Sequence, residues 1–194
     1  MNPCGRISAQ AGFSLVELGI VTLVLSLVVI ATFGVMQFGL ETENTGSTLI
    51  EIQGMARRVL DGIAKDLQNA VLTTISPTPP AAGQAGTHTI TFSPCAGYSG
   101  GSLQYGSVTT IAFAYETGES NNGQDDNSNK LVDEGVVAKT VGGTTQTLVH
   151  WVKEDGLSFN LDGHLLTVTL ELERRNAKGD MLQASLATSI QIRN

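Results

Sequence analysis

Two places in this 194-residue chain set acids where they could do chemistry. The first is Glu17, the only charged residue in the apolar run from Phe13 to Leu40, which begins FSLVELGIVTLVLSLVVI. A carboxylate in hydrocarbon costs on the order of 2.5 kcal/mol or more unless it finds a partner, so an acid there is a functional-site candidate. The second is NGQDDNSNKLVDEG, Asn122 to Gly135, where Asp125, Asn127 and Asn129 alternate and Asp133 and Glu134 follow. Short oxygen-bearing side chains alternating on a tight loop suit Ca2+, a hard cation that takes about six to eight oxygens.

The spacing of this loop is similar to the first half of an EF-hand calcium loop. In that arrangement Leu131 offers its backbone carbonyl, Val132 takes the apolar place, and Asp133 or Glu134 completes the shell. Lys130 stands where the turn glycine belongs, and Val136 where the bidentate glutamate belongs. The segment therefore resembles shorter D-x-[DN]-x-[DN] loops whose acids arrive early. A solvated Asn/Asp turn between two strands accounts for the same composition, because both residues favour turns. As a calcium site it would be structural, ordering a loop that otherwise repels itself.

Nothing else in the chain forms a catalytic constellation. His88, His150 and His164 are scattered, and no HExxH, nucleophile elbow, phosphate loop or CxxC occurs. His150 reads as a sheet-face residue, Trp151, Phe113, Tyr115 and Phe159 as core, and Glu171 with Glu173 as solvent-facing. The expectation is a protein that is not an enzyme.

The elements that must position these residues follow from periodicity. About 20 apolar residues suffice to span the hydrocarbon core of a membrane, and the run from Phe13 to Leu40 exceeds that. It is about twice the length of a secretory signal's apolar region, and it carries an acid. An ordinary cleaved signal, a plain anchor, and a segment cut before its apolar run are the three readings of it. Arg6 is the only basic residue ahead of the run, which places the N-terminus in the cytoplasm and exports the bulk of the chain. Cys4 and Cys95 then lie on opposite sides of the membrane, and no disulfide is expected between them.

Beyond Leu40 the pattern turns amphipathic. Apolar residues recur at Ile52, Ala56, Val59, Ile63, Leu67 and Val71. ETENTGS, Glu41 to Ser47, is a weak joint, and the prolines of ISPTPP should end the helix at residue 76. PTPPAAGQAG is a connector over residues 77–86. From residue 87 onward, THTITFSP, SVTTIAFAYE, TTQTLVHWV, HLLTVTLELE and QASLATSIQIRN alternate as strands, the last two forming an antiparallel hairpin. A net charge of −7 makes nucleic acid an unlikely partner class, and 15% charged residues with 22 glycines suit an extracytoplasmic sheet domain.

GFSLVE, Gly12 to Glu17, resembles the class III signal of type IV pilins and type II secretion pseudopilins. The resemblance implies a leader over residues 1–12, cleavage between Gly12 and Phe13 by a prepilin peptidase, and N-methylation of the Phe13 amine. It also implies a transmembrane and assembly helix over 13–40, continued over 41–76, and a β-rich globular domain over 87–194. That is an α+β, pilin-like fold, a spine helix on a mostly antiparallel sheet. Glu17 would pair with the Phe13 amine of an adjoining subunit and set the axial register of assembly. VKEDGLSFNLDGHLLTVTLELE and SIQIRN resemble the tails of PilW-like minor pilins and J-type minor pseudopilins.

The function this implies is a structural minor pilin or pseudopilin. Its partners would be other pilins, the peptidase and the inner-membrane assembly machinery. It would move from the bacterial inner membrane into a periplasmic or surface filament, in a tip or priming role. The alternative is a membrane-anchored, calcium-stabilised binding or adhesion module.

Overall fold

The structure, a computed structural model, describes residues 14–192. Gly12 and Phe13 lie outside the described residues. The chain divides after Glu43 into two compact units, although one helix, α1, runs Leu15–Gln68 through the division. Ser14 opens the helix, its Oγ accepting the Val16 N–H at 3.3 Å, which satisfies one of the amides a helix start leaves orphaned. The boundary falls inside ETENTGS, which is helical throughout.

In the first unit every side chain from Ser14 to Leu40 is exposed. The hydroxyls of Thr22, Ser26 and Thr32 donate to carbonyls of the preceding turn. The run therefore offers an apolar surface with its hydroxyls already satisfied, as a helix in lipid needs.

In the second unit α1 carries a buried stripe of Ile52, Ala56, Leu60, Ile63 and Leu67. These lie three or four residues apart and so share one helical face. The helix ends at Gln68, not at the prolines of ISPTPP. The Asn69 and Ala70 amides turn back to the carbonyls of Asp66 and Leu67, and the Val71 amide leaves for Ser93 O. Beyond Gln68 the chain is captured by the strand region, so Val71 is buried outside the helix.

A six-stranded antiparallel sheet has the order β1 (Thr89–Phe92), β4 (Thr109–Tyr115), β5 (Gly135–Val141), β6 (Thr144–Asp162), β7 (Leu165–Arg175), β8 (Met181–Gln191). A separate exposed hairpin joins β2 (Cys95–Ser99) to β3 (Ser102–Tyr105). Cys95 is an exposed free thiol at its base. The expected final hairpin is present, pairing Leu165 with Gln191 through Arg175 with Met181. Ala56, Leu60, Ile63 and Leu67 of α1 and inward sheet residues such as Phe92, Ile111, Val152, Phe159, Leu170 and Leu172 make one core.

Three readings change. Strand β6 continues through VKEDG, where the pairing jumps from Val152–Leu172 to Leu157–Leu170 and accommodates a bulge. Trp151, expected in the core, has φ +60 and is half-buried, with the Arg174 guanidinium 4.5 Å above its ring and Glu51 bound to Arg174 at 2.7 Å. Glu173, expected in solvent, is buried, its carboxylate accepting a bond from the Gln183 side-chain amide at 3.3 Å. Burial pushes its carboxyl pKa up, the Gln183 amide and Lys153 draw it back, and the Glu134 charge adds to the rise.

Candidate functional site

The acidic segment is the connection from β4 to β5, closed at its base by the Tyr115–Gly135 pair and by the Glu116 amide donating to Glu134 O at 3.2 Å. Within it each short side chain folds the backbone after it. Asp125 Oδ1 accepts the Asn129 amide at 3.1 Å and its Oδ2 the Lys130 amide at 2.7 Å. Asn127 Oδ1 accepts Asn129 N–H at 2.9 Å, and Asn129 Oδ1 accepts Leu131 N–H at 2.8 Å. These side-chain-to-backbone turns are the local reason Asn and Asp occupy alternate positions.

Lys130 adopts φ +74 and Ser128 φ +64. The left-handed turn expected of a glycine is thus made by a lysine, held by the bond from its amide to Asp125. Arg175 Nε donates to Lys130 O and fixes the loop to β7. Leu131 supplies the buried side chain, whereas Val132, expected in the apolar place, is 44% exposed.

The predicted ligand residues divide into two groups. Asp125, Asn127, Asn129 and Glu134 enter one network. Glu134 is fully buried, and its Oε1 accepts the side-chain amides of Asn127 at 3.0 Å and of Asn129. Asp133 turns away, its two oxygens accepting the Asn122 and Gly123 amides at 2.8 to 3.2 Å, and so ties the loop's start to its end. Asp126 lies outside the network. Ser120 Oγ and the Asn122 amide donate to it and hold its carboxyl below the usual range.

One residue was missed from sequence. Glu119 Oε1 accepts the Asn127 backbone amide at 2.8 Å, which joins it to the residue that also binds Glu134. Nothing in the spacing marks Glu119, since it precedes the alternating positions. The second oxygens of Glu116, Glu119 and Glu134 are all buried without a hydrogen-bond donor among the described residues. For Glu116 the other oxygen meets His150 Nδ1 at 2.7 Å. No group of three His, Cys, Asp or Glu side chains suited to a metal occurs among the described residues.

At the other candidate site, Glu17 lies in the first turn of α1, exposed and with no side-chain partner among the described residues. Ser14-Leu15-Val16-Glu17 also reads as the S-x-x-E pattern of a capping box, and an acid in the first turn suits the helix dipole. The dipole gives a carboxylate at this position a local role without a second chain, although Glu17 makes no bond back to Ser14 among the described residues. The helix that carries it is long and apolar enough to cross a membrane. Known protein families, curated proteins and solved structures give no match to the chain.

Proposed function

We propose that this chain is a structural subunit of a pilus-type filament, a minor pilin or minor pseudopilin. It is cut between Gly12 and Phe13 by a prepilin peptidase, methylated on the Phe13 amine, and drawn from the bacterial inner membrane into the filament. The observation that carries the reading is a helical run, Leu15 to Leu40, whose side chains are exposed throughout and whose one charge is Glu17. Exposed apolar surface on this scale marks a membrane or protein contact. The GFSLVE motif, the α+β layout and the spine's buried second half support the same reading.

In this reading the apolar run is lipid-facing before assembly and packs on neighbouring helices after it. Cleavage at Gly12 creates an amine cation. Glu17 on one chain answers that amine on the next, exchanging a costly lone charge in hydrocarbon for a neutralised pair. The loop from Asn122 to Gly135 holds a structural calcium ion. A membrane-anchored binding module would share the helix and the loop, but it would have no need of Glu17's charge.

The test compares Glu17→Gln with Glu17→Ala. Glutamine keeps the side chain's shape and gives up only the charge–dipole interaction, worth about 0.3–1 kcal/mol, so a purely local role leaves Glu17→Gln close to the unaltered chain. The subunit reading expects both variants to insert in the membrane and neither to enter filaments. Normal incorporation of Glu17→Gln would refute it.

A further inference from the structure

We infer that the cleft between α1 and strands β5 and β6 is a docking groove for a short acidic segment of a partner protein, anchored by apolar side chains. Arg58 and Lys65 form its charged rim, and Gly62 its floor. The inference does not depend on processing at Gly12 or on the β4–β5 loop.

The groove follows from helical spacing. Beside the buried stripe of α1, Met55, Val59, Gly62 and Asp66 recur three or four residues apart on a neighbouring face. With Leu148 and Trp151 of β6 they line a cleft of about 630 Å³, a size that suits a bound ligand. From Met55 to Asp66 the helix rises about 16 Å, the length of about five residues of extended chain. That length selects a peptide segment over a compact solute.

Three observations assign the occupant. Gly62 lies in the helix interior, where glycine is costly relative to alanine, yet an added Cβ would meet nothing within 4 Å. Packing within the chain gives no reason for the missing side chain, which leaves room for a second backbone to approach. The second observation is charge. Of the lining cations, Lys139 pairs with Asp66. Arg58 donates its Nε to Gly54 O at 3.2 Å within its own helix, and Lys65 is exposed. Neither has an acid within ion-pair distance among the described residues. On a chain of net charge −7 the groove is locally positive, so it draws an acidic partner that the rest of the molecule repels. The third is Trp151, held at φ +60, a conformation bulky residues rarely adopt. Backbone strain of this kind collects at functional sites, and tryptophan is a favoured anchor at interfaces.

Trp151 is the chain's single tryptophan and lines the groove, so its emission reports binding there. The test titrates the full chain in non-ionic micelles with two capped synthetic pentapeptides, Glu-Leu-Asp-Leu-Glu and Lys-Leu-Lys-Leu-Lys. The acidic peptide should change the emission saturably and bind about tenfold or more tighter than the basic one. Exchanging the rim charges in the double variant Arg58→Glu, Lys65→Glu should reverse that preference. Gly62→Leu should weaken the acidic peptide about tenfold or more by filling the floor, while Tm stays level or rises because leucine is the better helix former. That split separates a blocked groove from a damaged fold. No saturable change in emission, equal affinity for the two peptides, or unchanged affinity in Gly62→Leu overturns the assignment.

Discussion

The two halves of α1 differ in apolar content and in fate. From Leu15 to Leu40 every apolar side chain is exposed, whereas Ile52, Ala56, Leu60, Ile63 and Leu67 are buried, the last four in one core with the sheet. The first half is apolar all round and so has no face that one sheet could cover. The second alternates its apolar stripe with Arg57, Arg58, Asp61, Lys65 and Asp66, and the stripe alone is enclosed. The difference teaches where each half finds its stability. The second finds it within this chain, and the first needs lipid or another chain to supply it.

The same contrast separates the acids. Glu134 is buried inside its own fold, one oxygen tied by two asparagine amides and the other without a hydrogen-bond donor among the described residues. Glu17 is exposed on the apolar half, and no other described side chain answers it.

The sharpest way to break the comparison is to truncate a side chain in each half. Ile63→Ala, at a fully buried position, should cost about 2–5 kcal/mol. Leu23→Ala, 60% exposed before mutation, should stay within about 0.5 kcal/mol in the isolated chain. Denaturant melts of both in micelles decide it, and equal losses would erase the distinction. A smaller effect tests the seam where the helix meets the sheet. Arg174 stacks on Trp151 and pairs with Glu51, both half-exposed contacts, so Arg174→Ala should cost about 0.5–1.5 kcal/mol.

The smallest effect concerns Glu173, whose pKa burial raises. Well below its unfolded value both states carry the proton, and replacement by Gln changes little. As pH rises through the folded value the native chain must either hold a buried anion or keep a proton that the unfolded chain has released. Glu173→Gln should therefore raise Tm at pH 7 by about 1–3 °C, with the gain vanishing under acidic conditions. A gain that grows on acidification would reverse the assigned cause.

The helix and its buried stripe were legible because a 3.6-residue period survives in the apolar spacing. Its end was not. Pro77 is a stronger local stop than anything at Gln68, but the Val71–Ser93 hydrogen bond acts first, and it joins residues far apart in sequence. The bulge in β6 was hidden because Lys153, Glu154, Asp155 and Gly156 look like a turn. Strand β5, short and lying between an acidic loop and Gly142–Gly143, gave too few alternations to stand out. In the loop, Asp125, Asn127 and Asn129 were legible because their turns are local. Glu119 became visible only when the fold carried it to Asn127.

The central claim is that the apolar half of α1 begins a processed subunit. Its most direct test is the intact mass of the full chain produced with and without a prepilin peptidase. The account predicts loss of residues 1–12 and gain of one methyl group on a new N-terminal Phe13, only when the peptidase is present. An unchanged mass, or a cut at any other bond, would contradict it.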